Sequence, residues 1–304
     1  LIGFVTAVGC SLRQGLVPWL QLTKTVLCLS VACSTAFGFA LHQPIVEPAM
    51  VLATAGVFGL ACGASAANSL QERAADRWYA RTQRRPLVTG RLTVLQAVIA
   101  SVLLVVSGLY TLLMASGTPQ PAVLGLLTLA TYNGLYTPLK GKNSLALLPG
   151  GLVGSLPPLI GWTAAGGSLL DPGAWLLGAL FFLWQIPHFL LVLLHHRQDA
   201  LQGPYPSLLK QFSESALRRI ALVWLLALLH VTLAFPLLMP QLLPVARYLF
   251  VGMALCVLLL ALLLSFGKRE SRYHQLFIVL NGCFVAVMVL VILVQLLGRD
   301  FWSG

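Results

Sequence analysis

Charge is what this chain has least of. Of its 304 residues only 9% are charged, and only eight are acidic. A soluble domain carries about 25% charged residues, so an ordinary cytosolic enzyme is excluded. Cysteine is sparse too: six residues, none in a C-x-x-C pair and most inside apolar runs. That excludes a disulfide scaffold and suggests neither a zinc nor an iron–sulfur site. Low-complexity tracts and polar linkers are missing, which excludes disordered and collagen-like chains. The opening Leu1–Val8 has no basic stretch before it, so it is not expected to be a signal peptide.

Apolar residues fill the chain: 58% are hydrophobic and the mean hydropathy is +0.88. The fold class that follows is all-α, a polytopic membrane protein. Its runs are Val26–Leu41, Ala49–Ala67, Leu92–Ala115, Ala122–Tyr136, Leu145–Ala165, Ala174–Leu194, Ile220–Leu238, Tyr248–Phe266 and Leu276–Leu297. Spanning takes about 20 residues; the short first and fourth runs extend through Leu22 and Thr137. About nine transmembrane helices are expected, in one integral-membrane domain over 1–304 with 1–21 unassigned. Glu47-Pro48 and Asp171-Pro172 read as N-caps followed by a first-turn proline. Gly59-x-x-x-Gly63 and Gly150-x-x-x-Gly154 read as helix-packing sites. Pro149 to Gly161, with Pro157-Pro158, reads as an irregular helix start at a cavity.

The net charge of +11 belongs to topology rather than to nucleic acid. With nine spans, 17 of the 19 Lys and Arg residues fall on one side, leaving Arg247 and Arg299 on the other. The positive-inside rule makes the first side cytoplasmic, together with the N-terminus. The longest polar stretches, Asn68–Arg91 and His195–Arg219, both lie there.

Within the first stretch Asn68, Glu72 and Asp76 recur every four residues, within about 80° on one helix face. Two carboxylates and an amide oxygen suit magnesium, which takes one or two carboxylates and completes its shell with phosphate oxygens and water. Arg73, Arg77 and Arg81 form a ridge beside them, and guanidinium forks suit phosphate. The same spacing equally suits a solvated juxtamembrane helix with ordinary ion pairs. Asp199 in the second stretch and Lys140 and Lys142 after the fourth run share that membrane face, as site residues or as topological charges. His188, beside Gln185 and Pro187, sits inside an apolar run. Three roles are open to it: substrate contact, metal ligation, or a bond to another helix. His230 and His274 read as packing or interfacial residues, and His42 falls in an outer loop.

Asn68-x-x-x-Glu72-x-x-x-Asp76 resembles the N-x-x-x-D-x-x-x-D motif of the UbiA-type intramembrane prenyltransferases. Further segments narrow the resemblance to the haem O synthases, or protohaem IX farnesyltransferases. They are Leu22-Thr23-Lys24, Arg81-Thr82-x-x-Arg85-Pro86-Leu87, Tyr136-Thr137-Pro138-Leu139-Lys140, Leu156-Pro157-Pro158-Leu159-Ile160-Gly161-Trp162 and Trp184-Gln185-x-Pro187-His188-Phe189. The resemblance implies a UbiA-like bundle around a central cavity. It implies transfer of a farnesyl group from farnesyl diphosphate to a vinyl group of haem b, with addition of water, and magnesium assisting diphosphate departure. Carried over, Asn68, Glu72, Asp76 and Asp199 are the catalytic, metal-side residues. Lys24, Arg81 and Lys140 bind the diphosphate, and His188 faces haem. The implied setting is the bacterial cytoplasmic membrane; the implied partners are the lipid bilayer and a downstream haem-modifying enzyme or oxidase assembly. The chain departs from the pattern at Glu72, where the family has Asp, at Ala74 and Ala200, and across Gly203–Leu208. Alternatives are a UbiA-type transferase with another acceptor and a non-catalytic haem carrier.

Overall fold

The computed structural model describes residues 15–78, 82–203, 206–266 and 272–302, which are helical with no strand among them. A helix over 15–23 leads into the bundle. The long elements are α1 (Thr25–His42), α2 (Pro48–Gln71), α3 (Val94–Met114), α4 (Gln120–Leu129), α5 (Leu147–Ala164), α6 (Pro172–His195), α7 (Glu214–Leu238), α8 (Pro244–Phe266) and α9 (Arg272–Trp302). Eight of these regions are long and apolar enough to cross a membrane. The exception is α4. Its span is completed by a π-helical stretch, Ala130–Tyr136, and a last α-turn, Thr137–Lys140.

Each helix packs on its sequence neighbour, and α9 returns to α1, closing the ring. Inside the ring, α1 also packs on α5, and α6 on α9. Beside a small apolar core around Leu22, Ala66 and Leu92, two large ones result among the described residues. One joins α1 to α6–α9 through Phe37, Phe181, Phe235 and Phe250; the other joins α1–α5 through Phe39, Leu60, Leu112 and Ile160. Large apolar side chains such as Val106, Leu103, Leu255 and Leu259 point outward, as a lipid-facing surface requires.

Glycine sets the closest approaches. A Cβ on Gly38 would collide with the Pro158 carbonyl, and one on Gly161 with the Thr35 carbonyl. That contact seats α1 against α5, where Thr35 Oγ1 donates to the Pro157 carbonyl at 3.1 Å. Pro157 and Pro158 lie within a continuous helix rather than at an irregular start. Gly63 packs on α3 as expected, and Ser101 Oγ donates to its carbonyl. Gly150 and Gly154 also sit close against neighbouring spans, on the Tyr136 ring and the Gln185 side chain, and in addition they line a cavity.

Helix starts follow local chemistry. Pro48 and Pro172 take first-turn positions, but neither Glu47 nor Asp171 caps with its side chain. Glu47 accepts from Gln43 Nε2, and Asp171 accepts from the Ser168 N–H. Ser213 accepts from the Ala216 N–H, so α7 starts at Glu214, well before Ile220. Thr93 and Gln96 form a capping box for α3. His42 is the last residue of α1, against the Trp162 ring, rather than a loop residue.

Candidate active site

Helix α2 ends at Gln71, so Asn68, Glu72 and Asp76 do not share one regular helix. Asp76 lies in a 3-10 turn, Ala75–Arg77. Two backbone bonds keep the four-residue register: the Glu72 N–H donates to the Asn68 carbonyl and the Asp76 N–H to the Glu72 carbonyl, both at 2.9 Å. The three side chains stay together, and all are buried. Thr82 Oγ1 pins the turn by donating to the Asp76 carbonyl at 2.8 Å.

Three cations converge on this face. Lys140 Nζ donates to Glu72 Oε1 at 2.9 Å. Arg85 Nη1 reaches Asp76 Oδ1 and Oδ2 at 2.8 and 2.6 Å, and Glu72 Oε2 at 3.6 Å. Lys24 Nζ donates to Asn68 Oδ1 at 2.6 Å, and Asn68 Nδ2 donates to Thr137 Oγ1 at 3.1 Å. Lys24 separates the helix over 15–23 from α1 with φ of 51°, the one left-handed non-glycine among the described residues. Such a conformation costs on the order of 1–3 kcal/mol and persists only where surrounding structure fixes it. Here it turns the ammonium toward Asn68.

The cluster has one more positive than negative charge. Burial, then the Arg85 charge, lowers the Lys24 ammonium to about 8, against the raising effect of Glu72. For Glu72, burial alone pushes the carboxyl up, but the charge and hydrogen bond of Lys140, with Lys24 and Arg85, hold it below its ordinary value. Glu72 is thus a carboxylate at neutral pH, ringed by donors.

Arg73 and Arg77 take no part in this network among the described residues, and Arg81 lies outside them. The basic partners are instead Arg85, Lys24 and Lys140. Arg85 carries no role in the sequence reading, although it stands in the quoted Arg81–Leu87 motif. Thr137 is the second unassigned member. The π-helical stretch places it: Thr137 Oγ1 donates to the Tyr132 carbonyl, five residues back, and π turns recur at functional sites. Asp199 sits on a short helix, Arg197–Gln202, and joins Glu72, Asp76, Arg85 and Lys140 around a cavity of about 210 Å³. No group of three His, Cys, Asp or Glu side chains among the described residues is close enough to bind one metal ion by itself. Two carboxylates with substrate oxygens remain a fitting hard-cation donor set.

Phe189 and Val192 border that cavity and also a second, deeper chamber of about 510 Å³. The chamber is mainly apolar, with Tyr132, Tyr136, Trp184, Gln185 and His188 among its walls. His188 stands on α6 between the Trp184 and Phe277 rings, centroids 4.9 and 5.0 Å away. Its Nδ1 lies 2.6 Å from Asn281 Oδ1 on α9. His188 therefore both bonds another helix and faces the chamber. His274 stacks on His195 at the helix ends, while His230 is tied to its own helix through the Leu226 carbonyl.

The arrangement is amphiphilic: a cationic, carboxylate-bearing pocket opening beside an apolar chamber. The model of the UbiA prenyltransferase family matches residues 29–281. The chain is 35% identical to a protoheme IX farnesyltransferase of Nitratidesulfovibrio vulgaris, over 88% of this chain and 91% of that protein. With the Geobacter sulfurreducens protein of the same name it shares 41% identity over 64% of this chain and 70% of the other. In shape it matches a UbiA homologue from Archaeoglobus fulgidus solved with GPP and Mg2+, at TM-score 0.68 and 15% identity, covering 90% of this chain and 99% of that one. By the family match and by relatives of nearly full length, this integral membrane chain belongs to the UbiA prenyltransferase family.

Proposed function

We propose that this protein transfers a farnesyl group from farnesyl diphosphate to a vinyl group of haem b, with addition of water, giving haem O. One observation carries the reading: a buried Asn68–Glu72–Asp76 face with Lys140 and Arg85 on its acids adjoins an apolar chamber holding His188. The names of relatives at 35–41% identity support the acceptor.

Magnesium fits the donor set. Glu72 and Asp76, with Asp199 on the same cavity, would hold it through hard carboxylate oxygens. When bound, it neutralises charge that grows on the departing diphosphate. Lys24, Lys140 and Arg85 supply donors to the same oxygens, and charge-assisted bonds of this kind are among the strong ones. The acids now hold Lys140 and Arg85 in place; an arriving diphosphate exchanges carboxylate partners for phosphate oxygens without leaving a buried cation unpaired. The apolar chamber takes the prenyl chain and limits stray water around the allylic cation. His188 is the haem-side contact. The site faces the cytoplasm, on the strength of the 17-to-2 division of basic residues, and the membrane is the bacterial cytoplasmic membrane. A downstream haem-modifying enzyme or oxidase assembly receives the product.

Purified protein incubated with haem b, farnesyl diphosphate and magnesium tests this. Mass spectrometry is expected to show haem carrying one farnesyl unit and one added water. Prenylation of an aromatic acid or quinone precursor, with haem untouched, would shift the acceptor and refute the reading. Haem binding without any prenyl transfer would reduce the chain to a carrier.

A further inference from the structure

Addition of water to a carbocation releases a proton, and a mainly apolar chamber must provide somewhere for it to go. Among the side chains lining the chamber, the ionisable ones are Cys28, Tyr132, Tyr136 and His188. A thiol and a phenol are acids in their neutral forms, whereas a neutral imidazole offers a basic lone pair. The carboxylates of Glu72 and Asp76 line the neighbouring cavity instead, where the reading above commits them to the metal and diphosphate side.

The His188 tautomer follows from its partner. Asn281 Nδ2 donates to the Phe277 carbonyl at 2.6 Å, one turn back in α9. The amide's N–H2 is therefore turned to the backbone, and Oδ1 faces the imidazole at 2.6 Å. An amide oxygen only accepts, so the proton on this ring sits on Nδ1. That leaves the Nε2 lone pair, which has no hydrogen-bond partner among the described residues, on a ring that lines the chamber. Flanking contacts with Trp184 and Phe277 hold the ring between them.

We infer that His188 is the proton acceptor for the water that completes the reaction, with Asn281 as its positioning residue. The inference rests on the haem-farnesylation reading above. In the step, the C1–O bond of farnesyl diphosphate breaks and its electron pair leaves with diphosphate. The vinyl π pair forms the new C–C bond, leaving a cation on the vinyl carbon next to the porphyrin. A water oxygen lone pair forms the C–O bond, and one of that water's protons passes to His188 Nε2. Nothing is oxidised or reduced. Without the acceptor the protonated adduct collapses back to the cation, which then loses a carbon-bound proton and ends as an alkene. General-base catalysis is typically worth about 100–10,000-fold, ample to decide between the two fates.

The test is the ratio of hydrated to dehydrated farnesyl-haem, read by mass spectrometry in wild type, His188→Gln, Asn281→Leu and Asn281→Asp. A ratio does not depend on how much of a variant folds. The expected results are a fall of about tenfold or more in His188→Gln, a fall in Asn281→Leu, and restoration in Asn281→Asp, whose carboxyl oxygen again accepts from Nδ1–H. An unchanged ratio in His188→Gln overturns the role. So does an unchanged ratio accompanied by an altered absorption spectrum of bound ferric haem, which makes His188 an iron contact. Wild-type protein that forms no farnesyl-haem at all fails the parent reading instead, and the two failures are told apart by that control.

Discussion

Replacing Arg85 by Met removes the cation that spans both acids. Its Nη1 lies 2.6 Å from Asp76 Oδ2 and 3.6 Å from Glu72 Oε2, and the side chains of Arg85, Asp76 and Glu72 are 24%, 7% and 10% exposed. Glu72 keeps Lys140 at 2.9 Å, so the loss falls mainly on Asp76. Breaking a buried ion pair from one side costs about 3–5 kcal/mol, because the remaining charge is left uncompensated. The partial exposure of Arg85 places the expectation near the lower end, about 3 kcal/mol. Neutralising both partners, as in Arg85→Met with Asp76→Asn, removes the stranded charge. The double variant is expected to be more stable than the sum of the single losses by about 1–3 kcal/mol. Denaturant unfolding in detergent micelles without divalent ions measures all four corners of the cycle. Single effects that add to within about 0.5 kcal/mol would refute the pairing, since that is the behaviour of independent sites.

Diphosphate binding is expected to weaken above pH 8. The bound anion raises the Lys24 ammonium from about 8 toward its ordinary value near about 10.4. Below 8 the ammonium is charged in both free and bound protein; above 8 binding must also take up a proton, and affinity falls by up to about tenfold per pH unit. Calorimetric titration with diphosphate measures the slope, and Lys24→Gln is expected to flatten it. Gly161→Ala sets a methyl against the Thr35 carbonyl and is expected to destabilise the α1–α5 contact by about 1–3 kcal/mol, as overpacking does; unfolding in detergent reads this. Single cysteines at Arg84 and Gln198, in a background lacking the native cysteines, are expected to resist impermeant thiol reagents in intact cells. Labelling of both from outside would reverse the topology.

The helices were legible because each is an apolar run facing lipid on one side and a core on the other. The fourth run looked short for a physical reason: its span passes through a π turn, a hydrogen-bonding arrangement that apolar content does not encode. The start of α7 was misplaced because Arg218 and Arg219 read as loop charges, whereas the Ser213 cap draws them into the helix. At the site, the Asn68–Glu72–Asp76 register survived the end of α2 because two backbone bonds continue it. Arg85 was hidden among topological arginines; spacing alone does not tell which guanidinium folds back nine residues onto Asp76. Asn281 had a signal of its own, one of two side-chain amides inside the ninth apolar run, where polar groups face partners or cavities. Its pairing with His188 spans 93 positions and is visible only once α6 and α9 are packed.

Asp76 and Glu72 are the proposed metal-side acids of the diphosphate site. Prenyl-transfer turnover across a magnesium titration, with folding checked separately, measures this most directly. Asp76→Asn is expected to lower turnover roughly 100–1,000-fold, the loss of one contact at developing charge. Glu72→Ala is expected to behave alike, while Glu72→Asp keeps or raises turnover by restoring the family's shorter carboxylate. Full turnover at low magnesium in both Asp76→Asn and Glu72→Ala would contradict the account.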